Sequence, residues 1–496
     1  MLISLLILLA AAPVEVTTTT VGEVRADDGA GGPGYAALLS RTLVDGGDGD
    51  VSAQARLDLD LFRETQRGFA GEVPLDRRDN FRLERLVLRG PVVDGVTLEV
   101  GDSAVQVGRG LALCLKPAAT VGLDSALRGV RLAFDGVVSG QVFGGIVNPQ
   151  NTDPLSEKPL DDVDDVVAGV ELGALAGPIV VGVYGVAVVP EERLLADHVD
   201  GSGTAGITLQ APALLSLFDL GLEIAVQEQL LGGVMKPGAA VAVDVTTRLG
   251  SSTLLVEGLW LSSFAQRGSR TLQGDRLVLA QPPTLERPDM NVMSTDDARA
   301  LRGWWQSELS GVVVDVTVMG RQNSPDSPAQ VDVMHAFSMV TFALPLTGSR
   351  LAIGGGARDE SAPKGPERTT MQRLVHGDVD VEAPLWTGAV AHGNGALQLV
   401  DAPALDARFA RGSGAVVVDQ SLAGLAFGGG LELGVDTQQS QATRRVFAAA
   451  IAHVDVDDLV LRFVVGDQRG GLRCSGGVCR QVPAFSGARV EVVARF

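Results

Sequence analysis

The chain has 496 residues, 46 % of them apolar and 20 % charged, and its 40 Lys and Arg against 60 Asp and Glu leave a formal charge of −20. It is too apolar for broad disorder, too rich in Gly (62) and Pro (23) for an all-helical protein, and too poor in Cys (3) for a disulfide scaffold. The acidic balance gives no electrostatic reason to bind nucleic acid, while the length alone would suit about three soluble domains.

The first element is the apolar run Met1 to Ala12, which ends in the small residues Ala10, Ala11 and Ala12. It reads as a secretory signal peptide over residues 1–12, with 13–496 as the mature chain. From there on the sequence alternates with a period of two, which puts successive side chains on opposite faces of a sheet. Leu57, Leu59 and Leu61 alternate with Asp58 and Asp60, and Val241, Val243 and Val245 with Ala242, Asp244 and Thr246. Val312, Val314, Val316 and Val318 enclose Asp315; Leu431, Leu433 and Val435 enclose Glu432; Leu459, Leu461 and Phe463 follow the same rule. Gly177 to Val189 is apolar throughout but falls short of the roughly 20 residues of a membrane helix, and its valines, broken by Gly182 and Gly185, suit a strand. Long loops are expected at 148–165, 266–302, 322–330 and 358–376, with short turns between other strands. No shift in composition marks a domain boundary and no fixed repeat marks a solenoid, so the prediction is a single all-β domain.

A sheet of so many strands leaves two open edges unless it closes on itself. With one face of each strand apolar and the other mixed, closure into a transmembrane barrel puts lipid outside and water inside. Spanning strands of about 9–11 residues would then give roughly 14–20 strands. Asp58, Asp60, Asp244, Asp315 and Glu432 become the candidate lumen-facing residues, and an acidic, cation-preferring lumen is expected. Aromatic residues are only 4 %, so any interfacial girdle must rest on 15 Phe and 4 Trp.

The last strand carries Ala488, Val490, Val492, Ala494 and the terminal Phe496 on one face, and Arg489, Glu491, Val493 and Arg495 on the other. This pattern resembles the insertion signal of bacterial outer-membrane barrels. Gly101-Asp102, Val107-Gly108-Arg109-Gly110-Leu111 and Leu123 to Gly129 likewise resemble a block of uncharacterised bacterial outer-membrane β-barrel proteins. The resemblance implies a barrel in the outer membrane of a Gram-negative bacterium, outer-membrane lipid and lipopolysaccharide as neighbours, and the barrel-assembly machinery as a partner during biogenesis. It implies no activity. In physical terms Gly108 and Gly110 permit a sharp bend and Gly129 a close backbone approach, while Arg109, Asp124 and Arg128 are candidates for an internal ion-pair cluster.

Chemistry-bearing motifs are few. The chain lacks a phosphate loop, an H-E-x-x-H pair and a G-x-S-x-G elbow, so no enzyme and no cofactor is expected. His198, His335, His376, His392 and His453 are scattered. Asp45, Asp48 and Asp50 alternate with glycines like part of a calcium loop, but the full ligand spacing is missing and a solvated loop is the simpler reading. Cys474 and Cys479 are spaced to close a small disulfide loop in an oxidising compartment, and Cys114 reads as a buried hydrophobe. The leading functional reading is a pore or ligand-transit channel. The alternatives are a non-conducting barrel acting as a surface adhesion or structural module, and a secreted soluble β-rich glycan-binding protein.

Overall fold

A computed structural model describes residues 13–496 except 26–34, 49, 65–79, 117–124, 149–163, 192–198, 215–216, 271–275, 281–282, 284, 286–296, 326, 328–329, 346–347, 365–366, 439–445, 470, 476–477 and 483–484. The segment read as a signal peptide, residues 1–12, lies outside the described residues. The wall is one antiparallel sheet of 24 strands. Strand Val14–Arg25 pairs with Tyr35–Asp48 on one side and with Phe485–Arg495 on the other, which closes the barrel. Phe496 adds two bonds to this seam, its N–H donating to the Val16 carbonyl at 2.8 Å and its carbonyl accepting from Val16 at 3.0 Å. Closure leaves no edge strand, so the backbone polar groups of the wall are paired without water.

The strand number exceeds the 14–20 expected, because very little chain is spent at one end. There the strands are joined by two-residue turns at 94–95, 177–178, 250–251, 310–311, 387–388, 423–424 and 457–458. Left-handed backbone at Gly95, Gly177, Gly250, Gly311, Gly388 and Gly424 makes these turns possible. The start of the first strand, Val14, and the end of the last, Arg495, lie at this short-turn end. The long connections 104–125, 149–165 and 263–297 lie at the other. The segment 358–376, expected to be a loop, is instead a hairpin of strands Arg350–Lys364 and Glu367–Trp386. The second of these runs about 65 Å along its length, well beyond the ~25 Å apolar band of such barrels. Toward the end of this hairpin charged residues pair across the two strands, as Arg373 does with Asp359 at 3.0 Å.

The pleat separates the two faces of the wall. Leu301, Val318, Ile353, Val375, Leu397, Val416, Leu431, Leu433 and Val465 form an outward apolar surface, with Leu431 64 % and Leu433 60 % exposed. A surface this apolar and continuous requires lipid, which removes the soluble alternative. Exposed Phe218, Trp386, Phe427 and Phe496 sit beside the short turns and form a sparse aromatic girdle at that end.

Candidate functional site in the barrel interior

The connection between strands Val96–Ser103 and Ala126–Phe134 turns into the barrel. It forms the small hairpin Val105–Val107 with Leu113–Leu115, whose tip is Gly108, Arg109 and Gly110. Gly110 N–H closes the tip on the Val107 carbonyl at 3.0 Å. Gly108 (φ +57°) and Gly110 (φ +91°) are both left-handed. A Cβ on Gly108 would also meet Glu223 Oε1 at 2.4 Å, so this position needs glycine for conformation and for space.

Two carboxylates of the wall hold the tip. Gly108 N–H donates to Glu171 Oε1 at 3.0 Å, and Arg109 N–H to Glu223 Oε2 at 2.8 Å. Glu223, completely buried, also accepts from the Tyr184 hydroxyl at 2.7 Å. Gln141 donates to Glu171 and to the Gln106 carbonyl, both at 2.7 Å, and accepts from Arg131, which pairs with Glu99 at 3.0 Å. The Arg109 side chain forms an ion pair with Asp244. These wall residues come from strands on which apolar residues face outward, such as Val170 and Leu172 beside Glu171, or Ile224 and Val226 beyond Glu223. The hairpin is thus pinned by charge-assisted hydrogen bonds around the completely buried Glu223, and partial burial strengthens them relative to bonds in open water.

Described residues of a second connection, among them Gln266, Ser269 and Leu279, pack against the first. Cys114 N–H donates to the Leu279 carbonyl at 2.7 Å, and Leu279 N–H to the Gln266 carbonyl at 3.0 Å. Gln266 also takes hydrogen bonds from Ser202, Thr204 and Gln227 of the wall. Buried Asp165 accepts from the Ser269 backbone at 2.8 Å and from its hydroxyl. Between these segments and the wall lies an apolar core that includes Leu111, Leu113, Leu115, Leu127, Phe143 and Val147. Burial in this core pushes the Cys114 thiol up from its ordinary range, so it behaves as a packed hydrophobe. The packed wall runs from Val96–Ser103 to Val331–Ala343, whose Val333 belongs to the core; beyond it the one further apolar cluster among the described residues is the small one at Leu374, Val400 and Phe409.

The residues singled out from sequence fall as follows. Asp58 bonds Arg56 at 2.9 Å and lies 3.6 Å from Arg41; Asp60 pairs with Arg82 at 3.1 Å. Asp244 pairs with Arg109, so three of the five carboxylates face arginines rather than open water. Asp315 accepts from the Gln306 amide at 2.9 Å and Glu432 from the Gln468 amide at 2.8 Å. All five lie on the inward face, opposite the exposed valines and leucines. Arg128 pairs with Asp102 at 3.0 Å, so it and Arg109 occupy separate ion pairs rather than one cluster; Asp124 lies outside the described residues. The pleat puts Asp45 and Asp48 on opposite faces of strand Tyr35–Asp48, with Asp50 in the turn, so the acidic run does not wrap a cation. Among the described residues, no group of three or more His, Cys, Asp or Glu is arranged to hold a metal. Cys474 and Cys479 are register partners in the hairpin Gly471–Ser475 with Val478–Val482.

Sequence reasoning missed Glu171, Glu223, Tyr184 and Gln141. The signal for part of them was present: Glu171 is the single carboxylate of the apolar strand Val166–Ala176, and Ile179–Val189 is apolar on both faces. Its Val181 and Val183 face outward while Tyr184, Val186 and Val188 are buried inside. A strand apolar on both sides is covered on both sides.

A family of unknown function (DUF6029) matches residues 443–496, the last strands of the wall. No curated protein matches the chain. Among solved structures, the P pilus usher (PapC) translocation pore covers 97 % of this chain and 99 % of its own at 9 % identity, with a TM-score of 0.50. An E. coli P pilus tip assembly intermediate, PapC-PapD-PapK-PapG, covers 98 % of this chain and 61 % of its own at 10 % identity and a TM-score of 0.52. Pseudomonas aeruginosa OccK2 in complex with glucuronate is similar at 13 % identity over 74 % of this chain and 97 % of its own, with a TM-score of 0.41. At these identities the likeness is one of fold. The chain is a closed 24-strand antiparallel β-barrel, the fold it shares with the P pilus usher translocation pore.

Proposed function

We propose that the chain forms a water-filled, cation-preferring passage through the outer membrane of a Gram-negative bacterium, with its aperture set by the inward-folded hairpin. The observation that carries this reading is the uneven filling of the interior, with apolar packing on one side and a wall of charged and polar residues on the other. A barrel of 24 strands is wider than one folded hairpin fills, so solute passes along the uncovered wall. The chain's net charge of −20 favours cations there. Because three of the five carboxylates first expected to line the lumen face arginines, the preference rests on other inward carboxylates, including Asp315 and Asp419.

In this reading the long loops face lipopolysaccharide, and the barrel-assembly machinery receives the strand ending at Phe496. Planar-bilayer recording across a KCl gradient tests the passage. A steady conductance with a reversal potential of cation sign is expected; anion selectivity would overturn the charge argument. Absence of any conductance would favour the non-conducting adhesion or structural module.

A further inference from the structure

The lipid face of the second half changes chemistry at one level on four neighbouring strands. On Glu367–Trp386 the outward positions Val379, Gly377 and Val375 are followed by Arg373, and on Ala389–Ala402 the outward Leu397 and Leu399 are followed by Asp401. On Ala407–Leu422 the run Val416, Gly414, Gly412 and Ala410 leads to Arg408, and on Arg350–Lys364 the run Ile353, Gly355 and Ala357 leads to Asp359. The change always comes toward the end that carries the long connections, so it marks where the apolar band stops. The four charges there form two ion pairs, Arg373 with Asp359 at 3.0 Å and Arg408 with Asp401 at 3.1 Å. Arg373 and Asp401 are register partners, which joins the pairs into one row across the four strands.

About four residues, or ~13 Å, along the strands from this row, the same face is hollow. Gly377, Gly395 and Gly414 form the floor, Val379, Leu397 and Leu433 stand around it, and the hollow measures about 600 Å³. Gly395 lies opposite Gly414 in the ladder, so no side chain fills the gap between their strands. Asp378 lies beside the hollow but turns its carboxylate inward, 3.0 Å from His376 Nδ1. Because the hollow opens to hydrocarbon, an acyl chain fills it. Lipid tails are as apolar as leucine, so the filling does little to select one lipid over another. Selection falls to the head, which meets the row of charges. Side-chain exposure there is 85 % for Arg408 against 37 % for Asp401, and 64 % for Arg373 against 46 % for Asp359. Each carboxylate takes the Nε edge of its arginine, and the guanidinium ends stand outermost. An approaching head therefore meets donors in the planar fork that matches phosphate oxygens.

We propose that row and hollow together form a binding site for a phosphate-bearing lipid, its head held by Arg373 and Arg408 and one acyl chain lying on the glycine floor. A second hollow of the lipid face, about 1160 Å³ around Gly185, Ala187, Gly203 and Ala205, has Glu228 in its lining and no Lys or Arg. It takes acyl chains without choosing a negative head. Both halves share the lipid face, and the row of charges is what singles out the first hollow. The site rests on the lipid-facing wall and not on the passage through the barrel.

The test is native mass spectrometry of the delipidated, detergent-solubilised barrel. It is titrated with dioleoyl phosphatidylglycerol, with dioleoyl phosphatidylcholine, which has the same chains and no net charge, and with inorganic phosphate. The wild type should hold phosphatidylglycerol about fivefold tighter than phosphatidylcholine or better, the scale of one exposed ion pair, and should not retain phosphate at the same concentrations. The double variant Arg373→Ala, Arg408→Ala should hold the two lipids equally. In Gly377→Leu the new Cβ would have only the Gly354 carbonyl near it, at 3.8 Å, so the side chain fits the backbone and fills the hollow. Its retention of phosphatidylglycerol should fall to that of phosphatidylcholine. Heat-modifiable migration on a gel verifies that each variant is a folded barrel. Equal retention of the two lipids by the wild type, an unchanged preference in either variant, phosphate held as tightly as lipid, or a dimer of the chain in place of bound lipid would overturn the site. None of these readouts involves current, so the result stands apart from that of the conductance test.

Discussion

The two halves of the barrel have the same outside and different insides. Outward, Ile207, Ile224 and Val226 in one half correspond to Val416, Leu431 and Leu433 in the other, and both sets are exposed to lipid. Inward, the first half buries Leu111, Leu113, Leu115, Phe143 and Val186 against folded-in connections, whereas the second presents imidazoles, carboxylates and arginines. The wall thus closes through its hydrogen-bond ladder and lipid face whether or not its interior is packed. The interior core is an addition, built where a hairpin is held by Glu171, Glu223 and Asp244. Closure makes a barrel, and the hairpin makes it half a lumen.

If the hairpin fills one half, releasing it should matter most. Gly108→Val puts a side chain into the Glu223 carboxylate and forces left-handed backbone on a β-branched residue, at a cost of about 3 kcal/mol or more. The expected outcome is a noisier, larger conductance in planar bilayers with the barrel still heat-modifiable. Leu113→Ala should lower stability by about 2–5 kcal/mol through the cavity it leaves. Leu433→Ala, outward in the other half, should cost less than about 1 kcal/mol. Urea unfolding from vesicles compares the two, and equal losses would erase the contrast between the halves. Glu223→Gln keeps the shape but weakens the bonds from Arg109 and Tyr184, and should cost about 1–3 kcal/mol in the same assay. The smallest effect is expected at the hairpin of Cys474 and Cys479, outside both halves. If the pair is oxidised, intact mass under non-reducing conditions falls by two hydrogens, and Cys474→Ser abolishes that difference without changing conductance.

The outer face was legible in the sequence because a period of two survives from strand to strand, as at Leu57, Leu59 and Leu61 or Leu431 and Leu433. The strand number was not, because it depends on how little chain the turns consume. The packed half left one local trace, the two-sided apolar run Ile179–Val189, which shows that a strand is covered inside without showing what covers it. The contact of His335 Nε2 with His376 Nε2 at 3.0 Å left none: the two are 41 positions apart and meet through the register of three strands and a glycine, Gly356, that makes room. Likewise the neutralisation of Asp58, Asp60 and Asp244 follows from arginines on neighbouring segments that alternation alone does not pair.

The most direct test of the half-filled lumen is single-channel conductance of the wild type beside a variant lacking residues 105–115. The variant, confirmed as a heat-modifiable barrel, should conduct about twofold more or better, as expected if the hairpin occupies about half of a lumen this wide. The wild type should show a smaller, steady current. Equal conductance in the two proteins, or none in either, would contradict the account.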